Sequence, residues 1–421
     1  MARIGQAKVS EGHSASDRLT DRISLGVLAE VVPRDVVDDV LIETGRREQR
    51  SRLLPAHVMV RFCLAMCLFF DDDYEEVMRK LVGSLKSMGS WRDAWRVPST
   101  SAIAQARQRL GLDPLRVLFE QTAVPVARRG TRGAWLRSRR LMAIDGFMLD
   151  VPDEAGNVEE FGRRTNGEKS SSFPQVLTVV LGECGSHAVV GAAFEGCNGD
   201  ERALAEQLLP RVEADMLVTA DRNFYSFALW GKFRGTGADL LWRVNANVEL
   251  PALAWLPDGS YLSLAINPKI RGTRRERLIQ KAKAGADIDP AEAHRVRVVE
   301  YDIPDRKGNG TNEIICVITS ILDVAEATAE ELAAAYHERW ECENLIDEVK
   351  THQRGPARVL RSKSPDMVRQ EIWALLLTHY AIRRLMCQAA DEIGEDPDRL
   401  SFMRSIRVIR RQIVGQADFS P

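Results

Sequence analysis

Tyr336-His337-Glu338-Arg339-Trp340-Glu341-Cys342-Glu343-Asn344-Leu345-Ile346-Asp347-Glu348-Val349-Lys350 is the stretch on which the reading of this chain turns. Neither Gly nor Pro interrupts it. At about 100° per residue, Tyr336, Arg339, Glu343 and Lys350 fall at roughly 0°, 300°, 340° and 320° around a helix. The four share one narrow stripe. Cys342, Leu345, Ile346 and Val349 centre near ~230°, so one face can pack on a core while its neighbour presents a phenol, two cations and an acid. That second face suits a polyanion and a metal ion. The same charges also describe a solvated helix surface with i,i+4 pairs such as Arg339 with Glu343.

The order Tyr-x2-Arg-x3-Glu-x6-Lys separates the two readings. It resembles the signature of insertion-sequence-four-type transposases of the DDE class, the group that includes the transposon-five transposase. Four residue types must coincide over a fixed span, which makes the match specific.

At 421 residues the chain exceeds one compact core and suggests two or three domains. Hydrophobic content of 45% and charged content of 28% exclude disordered and fibrous classes. A net charge of −2 and a pI near 6.4 carry no global signal for nucleic acid, so DNA contact has to come from local basic patches. Cys63, Cys67, Cys184, Cys197, Cys316, Cys342 and Cys387 are scattered without CxxC pairs, which fits buried thiols in a reducing cytoplasm and no zinc site. The start lacks the apolar core of a signal peptide. The longest apolar run, 53–70, contains His57 and Arg61 and abuts Asp71-Asp72-Asp73, so it reads as a buried helix and leaves no membrane span.

Residues 1–15 read as a mobile tail. Apolar periodicity from 17 to about 112 is helical and points to an all-helical N-terminal domain over 16–135. The acids at 71–73 can mimic a metal site or cap the next helix. Residues 98–111 have a hydroxyl-rich start, Arg107 and Arg109, and a Gly111 stop; they suit either a recognition helix in a DNA groove or an ordinary amphipathic helix. After Glu120 no acid occurs until Asp145, while Arg128, Arg129, Arg132, Arg137, Arg139 and Arg140 do. Such a stretch can neutralise phosphates or serve as an exposed linker.

The texture changes at Arg140. Residues 141–151 read as a strand in which Asp145 costs several kcal/mol to bury without a partner, a cost a divalent cation would offset. Strands follow at 175–183 and 188–194, then a helix at 200–212 with Asp200 as N-cap. Residues 216–225 form another buried strand with Asp221 at its carboxyl end, where functional groups collect in open α/β sheets. A helix near 226–233 precedes a fifth strand, 239–244. The order of these elements looks like a ribonuclease H-like core, in which Asp145 and Asp221 would be neighbours. Between 244 and 325 lies more chain than a loop needs, and its β-rich pieces at 261–266, 295–303 and 313–321 read as an inserted subdomain. A helix spans 330–353, and two more, 366–389 and 400–414, finish the chain. Arg404, Arg407, Arg410 and Arg411 make the last one basic.

The resemblance implies an α/β fold: a ribonuclease H-like mixed five-stranded sheet flanked by helices, with a β-rich insertion and an all-helical N-terminal domain. The implied divisions are a tail (1–15), DNA-end-binding helices (16–135), the first part of the catalytic core (136–245), the insertion (246–324) and the rest of the core with trailing helices (325–421). It further implies a transposase that cleaves and joins DNA strands with two Mg²⁺ or Mn²⁺ ions, hard cations that prefer carboxylate oxygens. Asp145, Asp221 and Glu343 would be the metal ligands, with Asp145 bridging both ions. Tyr336, Arg339 and Lys350 would hold phosphates near the scissile bond. The implied partners are double-stranded DNA, as terminal inverted repeats and target, and a second copy in a synaptic homodimer; the implied setting is the bacterial cytoplasm, nucleoid-associated when on DNA. Where the family commonly follows Asp-Gly with a small hydroxyl residue, Phe147 stands here. Asp150, Asp153, Asp347 and Glu348 are nearby acids that could be mistaken for ligands, and Trp242 or Trp255 could stack on an extruded base or pack in the core. Two other readings use the same residues: a nuclease of this fold that never rejoins strands, and an end-binding protein whose catalysis has decayed.

Overall fold

The computed structural model describes residues 28–48, 50, 52–86, 97–166, 169–302, 314–355 and 359–415. The tail expected at 1–15 and the helix start at 17–27 lie outside the described residues.

Apolar runs that are buried on both faces form the centre of the sheet, as strands covered by helices on either side must. The strands are β1 (Trp135–Leu136), β2 (Arg139–Asp150), β3 (Thr165–Asn166), β4 (Lys169–Ser170), β5 (Gln175–Glu183), β6 (Val189–Gly196), β7 (Met216–Ala220), β8 (Asp239–Arg243), β9 (Ala254–Trp255), β10 (Tyr261–Ile266), β11 (Ala293–Asp302) and β12 (Ile314–Thr319). The main sheet runs β6-β5-β2-β7-β8-β12-β11-β10-β9, with β1 paired to β2. β2 lies antiparallel to β5 and parallel to β7, and β7 parallel to β8. The five strands expected from the sequence are thus adjacent, but the sheet does not end with them. β12 pairs antiparallel with β8, and the strands of the 246–324 segment continue the same sheet instead of folding apart from it. The reason is local: Val317, Ile318 and Thr319 are apolar or satisfied enough to bury beside Arg243, Trp242 and Leu241.

Fourteen helices are described among these residues: α1 (Leu28–Val31), α2 (Arg34–Glu43), α3 (Ala56–Leu68), α4 (Tyr74–Lys86), α5 (Thr100–Leu110), α6 (Asp113–Thr122), α7 (Ala155–Phe161), α8 (Glu201–Gln207), α9 (Phe227–Arg234), α10 (Gly272–Lys283), α11 (Ala329–His337), α12 (Trp340–Asp347), α13 (Pro365–Ile393) and α14 (Phe402–Gly415). α3 is the apolar run at 53–70, and it is buried nearly all round. No described helix is long and apolar enough to cross a membrane. α13 starts with Pro365 at its first turn, where the missing N–H costs nothing, and stops at Gly394, which takes the left-handed conformation (φ 67°). It packs against α3 and α6 from the N-terminal segment and reaches β6 on the other side. One apolar core therefore extends from Leu28 to Ile413. A second, small one forms where α10 lies on β10, through Leu264, Ile270, Leu278 and Ala282.

The helix expected over 330–353 is divided. α11 ends at His337, a tight turn through Glu338 and Arg339 follows, and α12 begins at Trp340. Residues Glu348–His352 then form a π-helical turn, in which the Gln353 N–H donates to the Glu348 carbonyl at 2.8 Å, five residues back. Such single π turns concentrate at functional positions. A single helical pitch therefore does not describe the whole segment, and Lys350 lies within the π turn.

Several basic residues that sequence spacing offers to DNA turn inward. Arg107 is 1% exposed and donates from Nε to Gln370 at 3.0 Å and from Nη2 to Ser362 at 3.1 Å, so this arginine of α5 faces α13 and not a groove. Arg139 bonds to Asp239, Arg137 to Glu331, Arg140 to Glu183 and Arg128 to Asp391. Arg139 and Arg140 are thus engaged at the sheet, whereas Arg128 and Arg137 make their ion pairs at the surface. The acids at 71–73 cap, as one of the two readings has it: Asp73 accepts the Glu76 N–H at 2.8 Å.

Candidate active site

β2 and β7 run parallel in the register Ile144 to Ala220, and the next residue on each is an aspartate, Asp145 and Asp221. The Gly146 N–H donates to Asp145 Oδ1 at 2.8 Å. A side chain at Gly146 would press on Glu201 at the start of α8, since a Cβ there meets Oε1 at 3.0 Å. Glu201 is thus a further acid at the rim that sequence reading missed; its only signal is its place just after the N-cap Asp200. Phe147, two residues on and therefore on the same side of the strand as Asp145, is buried.

The turn between α11 and α12 brings Arg339 across to these strands. Its Nη1 lies 3.1 Å from Asp145 Oδ2 and its Nη2 3.0 Å from Glu343 Oε1, so a single guanidinium spans carboxylates from residues 194 and 4 positions away. Tyr336 packs beside it, the guanidinium carbon 5.9 Å from the ring centre. α12 rests on β2 and β5 through Cys342 and Leu345; the absent side chain of Gly182 makes room for Leu345, whose Cδ1 would lie 2.7 Å from a Cβ there. That packing leaves Glu343 on the open side, with its side chain 42% exposed.

The electrostatics fit a site short of positive charge. Burial raises the Asp145 carboxyl above its ordinary range, and Glu343 and Asp221 add to the rise, although Arg339 and the Gly146 N–H oppose it. Burial alone would weaken the charge on Arg339, but Tyr336, Asp145, Glu343 and Asp221 around it hold its pKa well above the usual value. Burial likewise pushes the Tyr336 phenol up. Two polar atoms here are buried without a hydrogen-bond partner among the described residues, the Tyr336 hydroxyl and Arg339 Nε. Buried polar groups are nearly always satisfied, so both call for an acceptor, a ligand oxygen or an ordered water.

Asp145, Arg339, Glu343 and Tyr336 are thus drawn together, with Asp221 at the end of the neighbouring strand. Lys350 sits half-buried in the π turn and makes no ion pair among the described residues. The acids close in sequence are engaged elsewhere: Asp150 accepts from Gln175, Asp153 pairs with Arg163, Asp347 with His352, and Glu348 with Arg383 and His379. Trp242 is buried between Trp230 and Phe233, a core residue that cannot reach a base, whereas Trp255 is 71% exposed at the sheet's far edge. Among the described residues, the tightest grouping of three ligand-type side chains is a different one, His187, Glu341 and Asp398, whose ligand atoms all lie within 4.8 Å of one another. The Asp145, Asp221 and Glu343 set is more open, with Arg339 between two of its members.

Residues 22–120 match the family model for the insertion element 4 transposase N-terminal region, and residues 136–380 match that for the transposase DDE domain. The chain is 28% identical over 424 aligned residues to the transposase InsG of insertion sequence element IS4 from Escherichia coli K12, covering 99% of this chain and 88% of that protein. It is 27% identical to the putative transposase InsZ of the same organism, over 53% of this chain and 72% of that one. Among solved structures, the piggyBac transposase synaptic complex with hairpin DNA aligns over 93% of this chain and 80% of that one, at 11% identity and a TM-score of 0.48.

Proposed function

The chain belongs to the insertion-element-4 family of DDE transposases, and on that premise we propose that Asp145, Asp221 and Glu343 cut and join DNA strands at the ends of a mobile element. The observation that carries the assignment is the Arg339 bridge, which joins Asp145 to Glu343 beside the strand that ends at Asp221.

The donor set fits a divalent cation. It consists of carboxylate oxygens, which Mg²⁺ and Mn²⁺ prefer, and the buried Asp145 carries negative charge that its surroundings only partly balance. Two such ions, held by Asp145, Asp221 and Glu343, would supply activation of the attacking oxygen and stabilisation of the leaving one. Arg339 offsets the mutual repulsion of Asp145 and Glu343, and when those acids are otherwise engaged its guanidinium is free to grip a phosphate in two-pronged fashion. The unpartnered Tyr336 hydroxyl and Arg339 Nε are the donors best set to meet phosphate oxygens; Lys350 adds a point charge about two turns beyond Glu343. Five adjacent strands, β6-β5-β2-β7-β8, are read as the ribonuclease H-like core, formed by 136–245 together with 325–421 around the insertion at 246–324. The helical segment 16–135 is read as gripping the terminal repeats, and two copies as bringing the two ends together in the cytoplasm.

The test is a cleavage assay on element-end DNA with Mg²⁺. Asp145→Asn, Asp221→Asn and Glu343→Gln are each expected to lower strand cleavage by at least roughly 1000-fold while end binding in a mobility-shift assay survives. Retained cleavage in any one variant removes that residue from the site. Pre-cut ends then report joining to target DNA separately from hydrolysis.

A further inference from the structure

Behind α12, on the side away from Glu343, lies a cavity of about 370 Å³ lined by His187, Glu341, Glu348, Arg383 and Asp398 among others. Three separate parts of the chain meet there. His187 occupies the turn between β5 and β6 in a left-handed conformation (φ 57°) and is buried; its Nε2 touches Glu341 of α12 and lies 3.2 Å from Asp398 Oδ1 in the short turn Pro397–Arg399. We propose that His187, Glu341 and Asp398 bind one divalent cation of the borderline class, such as Zn²⁺ or Co²⁺, at a site separate from Asp145, Asp221 and Glu343.

Two features support the site. A neutral imidazole offers at most one hydrogen at Nε2, yet two carboxylates converge on that atom, and a cation satisfies all three groups at once. The outer support is also built in: Glu348 Oε1 lies 3.5 Å from His187 Nδ1, while Glu348 itself is held by Arg383 Nε at 2.7 Å and by His379 at 3.1 Å. A carboxylate behind the imidazole is the usual companion of a histidine ligand, orienting the ring and fixing its tautomer. Arg383 donates to Nδ1 here, so with Nε2 on the cation the ring has to carry its proton at Nδ1, directed at Glu348, and Arg383 has to leave the ring and keep only its bonds to Glu348.

One nitrogen with two oxygens favours a borderline metal over Mg²⁺, which sets this site apart from the all-carboxylate one. Glu341 stands two residues before Glu343 on α12, so an ion here pins the helix that carries Glu343 to the β5–β6 turn.

The experiment uses the full chain carrying Asp145→Asn and Glu343→Gln, which takes the catalytic carboxylates out of play, and Co²⁺ as the optical probe. The expected result is one Co²⁺ per chain, with visible bands of a nitrogen and oxygen donor set, displaced by Zn²⁺. Adding His187→Gln is expected to weaken binding by roughly 100-fold or more, and adding Asp398→Asn by about 10- to 100-fold. Lack of saturable binding, thiolate-type bands, or unchanged affinity in both variants overturns the proposal. Should His187→Gln fail to fold, Asp398→Asn decides, because it alters a partly exposed turn outside the core. Since the background is already inactive, neither outcome bears on the cleavage reading.

Discussion

At the scale of single residues, Asp145, proposed above as a metal ligand, shows what burying a carboxylate costs a protein. Its folded pKa lies above the ordinary carboxylate range because burial outweighs the help from Arg339. A raised folded value means that the folded chain holds the proton more tightly than the unfolded one. Stability from this group is then present at low pH and is lost as pH rises through the folded pKa. At pH 8 the ionised Asp145 is a net burden that an amide does not carry. Asp145→Asn is therefore expected to raise the metal-free melting temperature by roughly 1–3 °C at pH 8, with the difference vanishing at a pH low enough to protonate Asp145. Calorimetry in chelator at both pH values measures this, and a lower melting temperature at pH 8 would mean that the Arg339 bridge dominates instead. Both aspartates were legible in the sequence because an acid inside or at the end of an apolar run has no cheap structural excuse. Glu343 and Arg339 were legible from spacing, but the wheel that put Lys350 on their stripe assumed one pitch. Nothing of the Gly or Pro kind marks the break at Glu338 and Arg339, and the π turn follows from a buried Glu348 seeking Arg383 and His379, partners that no local pattern reveals.

At the scale of elements, the sequence carries caps and periods well and partners poorly. Ser99 accepts the Ala102 N–H at the start of α5, and Gly111 closes it with a φ of 73°, both as the hydroxyl-rich start and glycine stop imply. What the 3.6-residue period cannot say is which way a helix faces. α5 turns Arg107 onto Gln370 and Ser362 of a helix and its approach more than 250 residues downstream, leaving Arg109 outside. The two arginines should therefore behave oppositely. Arg107→Ala strands buried partners, Gln370 and Ser362 among them, and is expected to destabilise by about 3 kcal/mol or more. Arg109→Ala should stay within about 0.5 kcal/mol of the parent. Urea unfolding of the two variants makes the comparison; near-equal midpoints would return α5 to the role of a helix presented to DNA. The same logic separates the tryptophans, since Trp242 packs edge-on to Trp230 while Trp255, on a two-residue edge strand, packs only against Tyr261 among the described aromatic residues.

At the scale of the molecule, α13 does most of the joining. It touches α3 and α6 on one side and α7 and β6 on the other, so the N-terminal helices and the sheet share one apolar core although they are far apart in sequence. Length and composition gave no sign of this, because they count domains by residues and not by shared surface. The sheet itself continues from β8 into β12, which makes the 246–324 segment an extension of the central layer. Removing residues 1–123 would expose the face of α13 that meets α3 and α6, including Thr378, whose hydroxyl now donates to the Leu64 carbonyl of α3. Uncovering an apolar surface of that kind forfeits about 25 cal/mol for every Å². A fragment of residues 124–421 is accordingly expected to lose cooperative thermal unfolding and to bind a hydrophobic dye, even though it retains every residue of the proposed site. The full chain should unfold in one transition detected alike by tryptophan fluorescence and circular dichroism. A fragment that melts sharply on its own would instead make the helical segment a module that the sheet merely carries.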